Sequence, residues 1–159
     1  MALLTGDEII EIAVRLEENG EAFYTAAAAK AATPAVKTLF EDLAVQEQHH
    51  RRAFQRMGGT AVELILSPEQ WDEFKAYADA LLQNSFFARP QGALSQAAEA
   101  RDERQAAESA LGFEKEALLF FYSLRDAVRG PGQQTVDRII QEEKRHIQRL
   151  AGILAGLGR

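Results

Sequence analysis

Apolar residues recur every three or four positions along most of the chain, and no segment alternates apolar and polar residues between turn signals. A spacing of three and four is typical of amphipathic helices, whereas alternation is typical of strands. Alanine, leucine, glutamate, glutamine and arginine dominate the composition, and all five are good helix formers. The pattern predicts an all-α protein.

Capping signals divide the first third of the chain into two long helices. The pair Thr5 and Glu8 is typical of a capping box and predicts that helix A begins there and runs to about Ala31. Thr33 is expected to cap helix B, which the sequence "MGGT" at 57–60 ends.

The rest of the chain predicts one short helix and two further long ones. Ser67 opens the short helix, and the stretch "NSFFARPQGALSQ" (84–96) after it is expected to be loose. Helix C begins near Asp102 and continues to "RGPG" (129–132), and helix D then runs to about Leu154.

These elements predict a single domain over residues 1–159, because a chain of this length can bury a substantial core. Two helical hairpins lie at about 5–58 and 102–156, and residues 59–101 connect them. A long connection between helices B and C, containing a short extra helix, is typical of a four-helix bundle with one crossover.

Two of the apolar stripes are interrupted in the same way. The stripe of helix B that includes Leu43 also contains Glu47 and His50, and the stripe of helix D contains Glu143 and His146. Side chains three residues apart differ by about 60° around a helix axis and by about 4.5 Å along it, so both can reach one cation. Each of the two helices therefore presents a Glu-x-x-His pair to the core.

Helices A and C each carry one glutamate in the equivalent place. Glu17 shares a face with Tyr24, and Glu114 shares a face with Phe121. Glu17 precedes the glutamate of helix B by 30 residues, and Glu114 precedes that of helix D by 29. The chain thus repeats one hairpin, which would collect four carboxylates and two imidazoles at the centre of the bundle.

A single Glu-x-x-His is more often an exposed polar pair, because glutamate is common in this chain. Here, however, two of the three histidines carry the motif at matching places in a repeated hairpin. The third, His49, points about 100° away from His50 and is expected at the surface. We interpret the repeated motif as a metal site.

The donor types indicate which ions such a site would hold. The chain has no cysteine, so thiolate zinc sites, iron-sulfur clusters and disulfides are excluded. Carboxylates and imidazoles suit iron or manganese, and zinc would also fit. Four carboxylates carry a charge of −4, which two divalent ions cancel, so two metal ions are expected.

Charge and hydropathy exclude other classes. The net charge of −6 and scattered basic residues argue against nucleic-acid binding. No window approaches the roughly 18 consecutive apolar residues of a membrane helix, and the first residues do not form a signal peptide. We expect a cytoplasmic protein that binds neither nucleic acid nor membrane.

On these motifs the chain resembles the ferritin-like di-iron proteins, specifically the rubrerythrin and bacterioferritin branch, everywhere except about residues 60–100. The resemblance implies a ferritin-like bundle and a di-iron centre. It also implies how six ligands divide between the ions: Glu17 and His50 bind one, Glu114 and His146 the other, and Glu47 and Glu143 bridge them.

The chain departs from these relatives in ways that change the expectation. Gln48 stands where bacterioferritin has its haem methionine, so no haem is expected. Ala117 stands where rubrerythrin typically adds a carboxylate, which puts the ligand shift of that family in doubt. The rubredoxin module of rubrerythrin needs cysteines, so an external electron donor such as a rubredoxin is expected.

The resemblance implies a rubrerythrin-like oxidoreductase that reduces hydrogen peroxide or dioxygen under oxidative stress. Tyr24 would hydrogen-bond a ligand carboxylate, or would be an ordinary core tyrosine. The alternatives are a ferritin-type protein that oxidises and stores iron, and a metal-stabilised scaffold without turnover. A homo-oligomer, most simply a dimer, is expected.

Overall fold

The computed structural model describes residues 6–59, 65–85, 89 and 91–158. Over these residues the chain forms helices and no strand, which confirms the all-α prediction. The described helices, in chain order, are α1 (Gly6–Lys30), α2 (Pro34–Gly58), α3 (Pro68–Asn84), α4 (Gly92–Glu99), α5 (Glu103–Ala127) and α6 (Gly130–Gly156).

The four long helices form the bundle that the sequence predicts. α1 packs along α2, and α5 packs along α6, so each pair is a helical hairpin. Contacts of α1 with α5 and of α2 with α6 join the two hairpins. The connection between α2 and α5 carries α3, which lies against α5, and α4, which lies against α1.

Aromatic side chains fill the core between the long helices. Phe40, Phe54, Phe113 and Phe121 are fully buried or nearly so, and the rings of Phe54 and Phe121 lie 5.1 Å apart between their centroids. Burying a side chain of this size stabilises the fold by about 1.5–3 kcal/mol. The core therefore holds the long helices firmly on both sides of the bundle's polar centre.

α3 lies on the flank of the bundle, as its apolar positions require. Ser67 caps it, accepting a hydrogen bond from the backbone N–H of Gln70, which confirms the predicted start. Trp71 stacks on Phe74, and Phe74 contacts Phe120 of α5. None of the described helices combines the length and apolar character needed to cross a bilayer.

The expectation that 84–96 is loose is wrong at its C-terminal end, because Gly92–Glu99 form α4. Ala93 and Ala97, one turn apart, are buried against the bundle. The ammonium of Lys30 donates hydrogen bonds to the carbonyls of Ala97, Ala98 and Ala100 at 2.9–3.1 Å and so closes the helix end. An eight-residue helix is marginal alone, and these tertiary contacts stabilise it.

The predicted cap of helix B is also wrong in its detail. Thr33 occupies the position before α2, but its side chain does not cap that helix. Its hydroxyl donates instead to Glu103 of α5 at 2.6 Å, and the same carboxylate accepts the backbone N–H groups of Ala32 and Thr33, both at 2.7 Å. The predicted box at Thr5 lies outside the described residues.

This contact between Glu103 and the α1–α2 turn joins the two hairpins. Hydrogen bonds from Thr33 lower the pKa of the Glu103 carboxyl below its usual value. We expect Glu103→Ala to lower the free energy of unfolding by about 1 kcal/mol, because three hydrogen bonds at an exposed site are lost. Urea unfolding of the metal-loaded protein measures the change.

The matched control is Glu108→Ala, one turn further along α5. Glu108 is exposed, and its ion pair among the described residues is with Arg104 at 3.5 Å, so its loss should cost less than about 0.5 kcal/mol. Equal effects of the two substitutions would contradict a joining role for Glu103.

Candidate metal centre

All six residues predicted as metal ligands lie together at the centre of the bundle. None is more than 3% exposed. α1 and α5 contribute one glutamate each, and α2 and α6 contribute one Glu-x-x-His each; the residues are Glu17, Glu47, His50, Glu114, Glu143 and His146.

The donor atoms form two groups that share a pair of glutamates. Within each group the donor atoms all lie within 4.8 Å of one another. Glu47 and Glu143 belong to both groups. Glu17 and His50 complete one group, and Glu114 and His146 complete the other.

Both histidines turn Nδ1 toward the carboxylates. Nδ1 of His146 lies 3.0 Å from Glu143, 3.3 Å from Glu47 and 3.4 Å from Glu114. Nδ1 of His50 lies 2.7 Å from Glu143 and 3.7 Å from Glu17. The two rings are stacked, with centroids 5.5 Å apart.

Many of these buried atoms have no hydrogen-bond partner among the described residues. They include both carboxylate oxygens of Glu17, one oxygen each of Glu47, Glu114 and Glu143, and Nδ1 of His50. The Nδ1 of His50 is close to Glu143 but lacks hydrogen-bond geometry. Buried acceptors without donors are costly, and a cation would satisfy them together, so the residues fit a metal site.

The pKa values show how unfavourable this cluster is without a cation. Burial, and next the neighbouring carboxylates, raise the pKa of Glu17 and of Glu114 well above the usual value. Burial alone would lower the pKa of His146, but Glu114, Glu143 and Glu47 outweigh it and raise it to about 12. Without a cation, protons on these groups therefore supply part of the positive charge that balances the carboxylates.

Glu142 is a contributor that the helical pattern of the sequence did not reveal. Its carboxylate lies 2.6 Å from Nε2 of His50, and the hydrogen bond keeps its pKa below the usual value. An ionised carboxylate only accepts, so Nε2 of His50 donates. Glu142 is adjacent to Glu143 and 27% exposed, so by position it resembles any surface glutamate.

Tyr24 is fully buried, and its hydroxyl donates a hydrogen bond to Glu114. Phe121 occupies the mirrored place on α5 and carries no hydroxyl. The hydroxyl of Tyr24 therefore bonds to the end of the cluster that contains His146.

Residues 8–154 match the rubrerythrin family. The chain belongs to the rubrerythrin family. This confirms the family and the ferritin-like fold expected from the motifs. No curated protein and no solved structure is significantly similar to the chain. Membership of this family and the buried carboxylate and histidine cluster together indicate a di-iron site.

The positions at which the chain departs from the family patterns also have defined surroundings. Gln48 is half-buried and donates to Glu21 at 3.2 Å. Ala117 is buried on the face of α5 that carries Glu114. His49 is exposed, as expected.

Gly20 lies one turn after Glu17 and limits the space around the cluster. A Cβ atom there would lie 2.9 Å from Oε2 of Glu47 and 2.8 Å from the Phe113 ring. Both distances are shorter than van der Waals contact, so only glycine leaves Glu47 in place. A helix-interior glycine costs roughly 0.5–1 kcal/mol relative to alanine, and the close approach of Glu47 and Phe113 explains its presence.

We expect Gly20→Ala to destabilise the protein by about 1–3 kcal/mol through overpacking and to weaken Zn²⁺ binding at least about tenfold by displacing Glu47. Urea unfolding and calorimetry measure the two effects.

Gly112 on α5 is the matched control, since its missing Cβ faces open space. Gly112→Ala should stabilise the protein by about 0.5–1 kcal/mol and leave Zn²⁺ binding unchanged. If Gly20→Ala were also stabilising, the close approach to Glu47 would have no importance.

The raised pKa values predict that the metal-free protein loses stability as the pH rises from 6 to 9. In the unfolded chain the glutamates are already ionised below this range, and His146 loses its proton near the start of it. Folded Glu17, Glu114 and His146 keep their protons, so the stabilisation that these protons supply is lost as the pH rises. Glu143, whose pKa is lowered, is ionised in both states and adds no slope. The melting temperature of metal-free protein should therefore fall.

Zn²⁺ should counteract this fall in melting temperature. Protons and Zn²⁺ compete for the same donor atoms, and fewer protons are bound at high pH, so Zn²⁺ binds more tightly there. The gain in melting temperature with Zn²⁺ should thus grow from pH 6 to 9. Repeating the series in 0.5 M NaCl controls for repulsion between surface charges, which salt screens. A metal-free melting temperature that rises with pH would refute the assigned protonation.

Proposed function

We propose that this chain is a di-iron oxidoreductase that reduces hydrogen peroxide or dioxygen. The observation that supports this function best is the overlap of the two donor groups. Two acids common to both groups, with one further acid and one imidazole for each, suit two adjacent ions that share bridging ligands.

In this proposal Glu17 and His50 hold one ion and Glu114 and His146 the other, while the two shared glutamates bridge them. The four carboxylates supply −4, and two divalent ions neutralise the whole cluster. A single ion would leave two buried negative charges, so two ions are expected. Two ferrous ions would supply the two electrons that cleave the O–O bond of peroxide, giving two waters with two protons.

The protein's own residues would keep that centre dry and aligned. Phe113 lies beside Gly20 and Glu47, and the six donor residues are at most 3% exposed, which would keep the centre out of bulk water. Tyr24 orients Glu114 from inside the bundle, and Glu142 orients His50 from the surface side. Fixed ligands are not free to turn away toward solvent.

Three further parts of the proposal concern the cell. The 159 residues contain no cysteine, so we propose that electrons arrive from a separate redox protein such as a rubredoxin. We also propose a homodimer and a cytoplasmic location. Sizing of the purified protein tests the homodimer, and fractionation of cells tests the location.

The test is stopped-flow oxidation of the protein loaded with two ferrous ions per chain. We expect peroxide to oxidise the centre faster than dioxygen does. His50→Gln should bind one ion fewer and lose at least about 100-fold in rate, because one ion loses its imidazole. His49→Gln, the adjacent exposed histidine, is the matched control and should react as the unchanged protein does.

Peroxide that reacts no faster than dioxygen would contradict a peroxidase. Uptake of many iron atoms per chain by a large assembly would instead assign the ferritin-type role. Bound zinc that cannot be exchanged for iron would assign a metal-stabilised scaffold. Equal rates for the two histidine variants would place the reacting centre elsewhere.

A further inference from the structure

The two ligand histidines differ in what their outward nitrogens contact. Nε2 of His50 donates to Glu142 at 2.6 Å. The contacts of His146 with carboxylates all involve Nδ1, and among the described residues its Nε2 has no hydrogen-bond partner. The two halves of the cluster therefore have matching donor residues but differ in what contacts the outward nitrogen of the histidine.

The repeated hairpin explains where the difference originates. Glu142 directly precedes Glu143 on α6, and its counterpart on α2, directly before Glu47, is Gln46. A carboxylate thus stands at this position in one hairpin and a neutral amide in the other.

Basic residues line the clefts over both histidines. The cleft at His50, of about 200 Å³, is lined by Arg56 and Arg138. A cleft of about 250 Å³ leads to His146 and is lined by Arg145 and Arg149 as well as by Gln46 and Glu142. Glu142 lines both clefts, but its carboxylate bonds to Nε2 of His50, so His146 has no carboxylate at its own Nε2. The difference between the two histidines therefore lies in Glu142 and not in the charge of the surrounding surface.

A carboxylate that accepts the outer N–H of a histidine fixes the ring and makes its other nitrogen a stronger metal ligand. We propose that the two halves of the metal centre are inequivalent: Glu142 is a positioning residue through which the half with Glu17 and His50 binds a divalent ion first and more tightly. This rests on the metal centre of the proposed function.

The order of filling has a chemical consequence. The half that contains His146 also contains Glu114 and its donor Tyr24. The weaker, second ion would sit in that half, beside the cleft that His146 lines. The second ion could then exchange while the first ion stays bound.

The test uses Co²⁺ with the full chain after removal of all metal. Calorimetry should show two binding steps whose affinities differ by about 10- to 100-fold, the usual effect of such an outer partner. Crystals grown with one equivalent of Co²⁺ should show anomalous scattering beside His50 and little beside His146.

Two substitutions then address the cause. Glu142→Gln should weaken the first step by about 10- to 100-fold and leave the second step unchanged, which also shows that the variant is folded. Glu142→Gln combined with Gln46→Glu should reverse the order, so that one equivalent of Co²⁺ lies beside His146.

Two equal steps in the unchanged protein, or an unaltered first step in Glu142→Gln, would overturn the inference and leave the proposed function standing. Failure of the unchanged protein to bind any Co²⁺ would overturn both. Two unequal steps in a protein whose iron does not react with peroxide would keep the inference and refute the function.

Discussion

The central constraint on this structure is the mutual repulsion of four carboxylates in a core that water does not reach. Glu17, Glu47, Glu114 and Glu143 are each at most 1% exposed, and none forms an ion pair with a lysine or arginine of the described chain. Burying an unpaired charge costs several kcal/mol even after relaxation. Protons on the two histidines and on part of the acids relieve this cost without metal, and cations relieve it more completely.

The hairpin repeat is the means by which the fold meets that constraint. Each hairpin supplies one lone acid and one Glu-x-x-His, so two copies surround the centre from opposite sides. The aromatic core on either side holds the helices rigid, and Gly20 leaves the space that Glu47 requires. Donors held in fixed positions bind a pair of ions more selectively than a loose collection of surface acids does.

Helical spacing predicts the long helices and the inner donors, because both depend on residues close in sequence. The stripes containing Glu47 and Glu143 are sufficient by themselves to predict a polar centre in the bundle. Helical spacing cannot predict contacts between segments that are distant in sequence. α4 depends on Lys30 of α1, and Glu103 accepts from Thr33 across 70 residues. The contact of Glu142 could not be predicted for the same reason, since only the folded bundle brings it to a histidine 92 residues away.

The charge balance connects fold, site and function, and metal stoichiometry tests it most directly. Protein purified without added metal, then equilibrated with excess Fe²⁺ in the absence of oxygen and freed of unbound ion, is analysed by mass spectrometry of the metal. The account predicts two ions per chain, which cancel the −4 charge of the cluster. One ion per chain, or none, would contradict it, since buried charge would then remain without a partner.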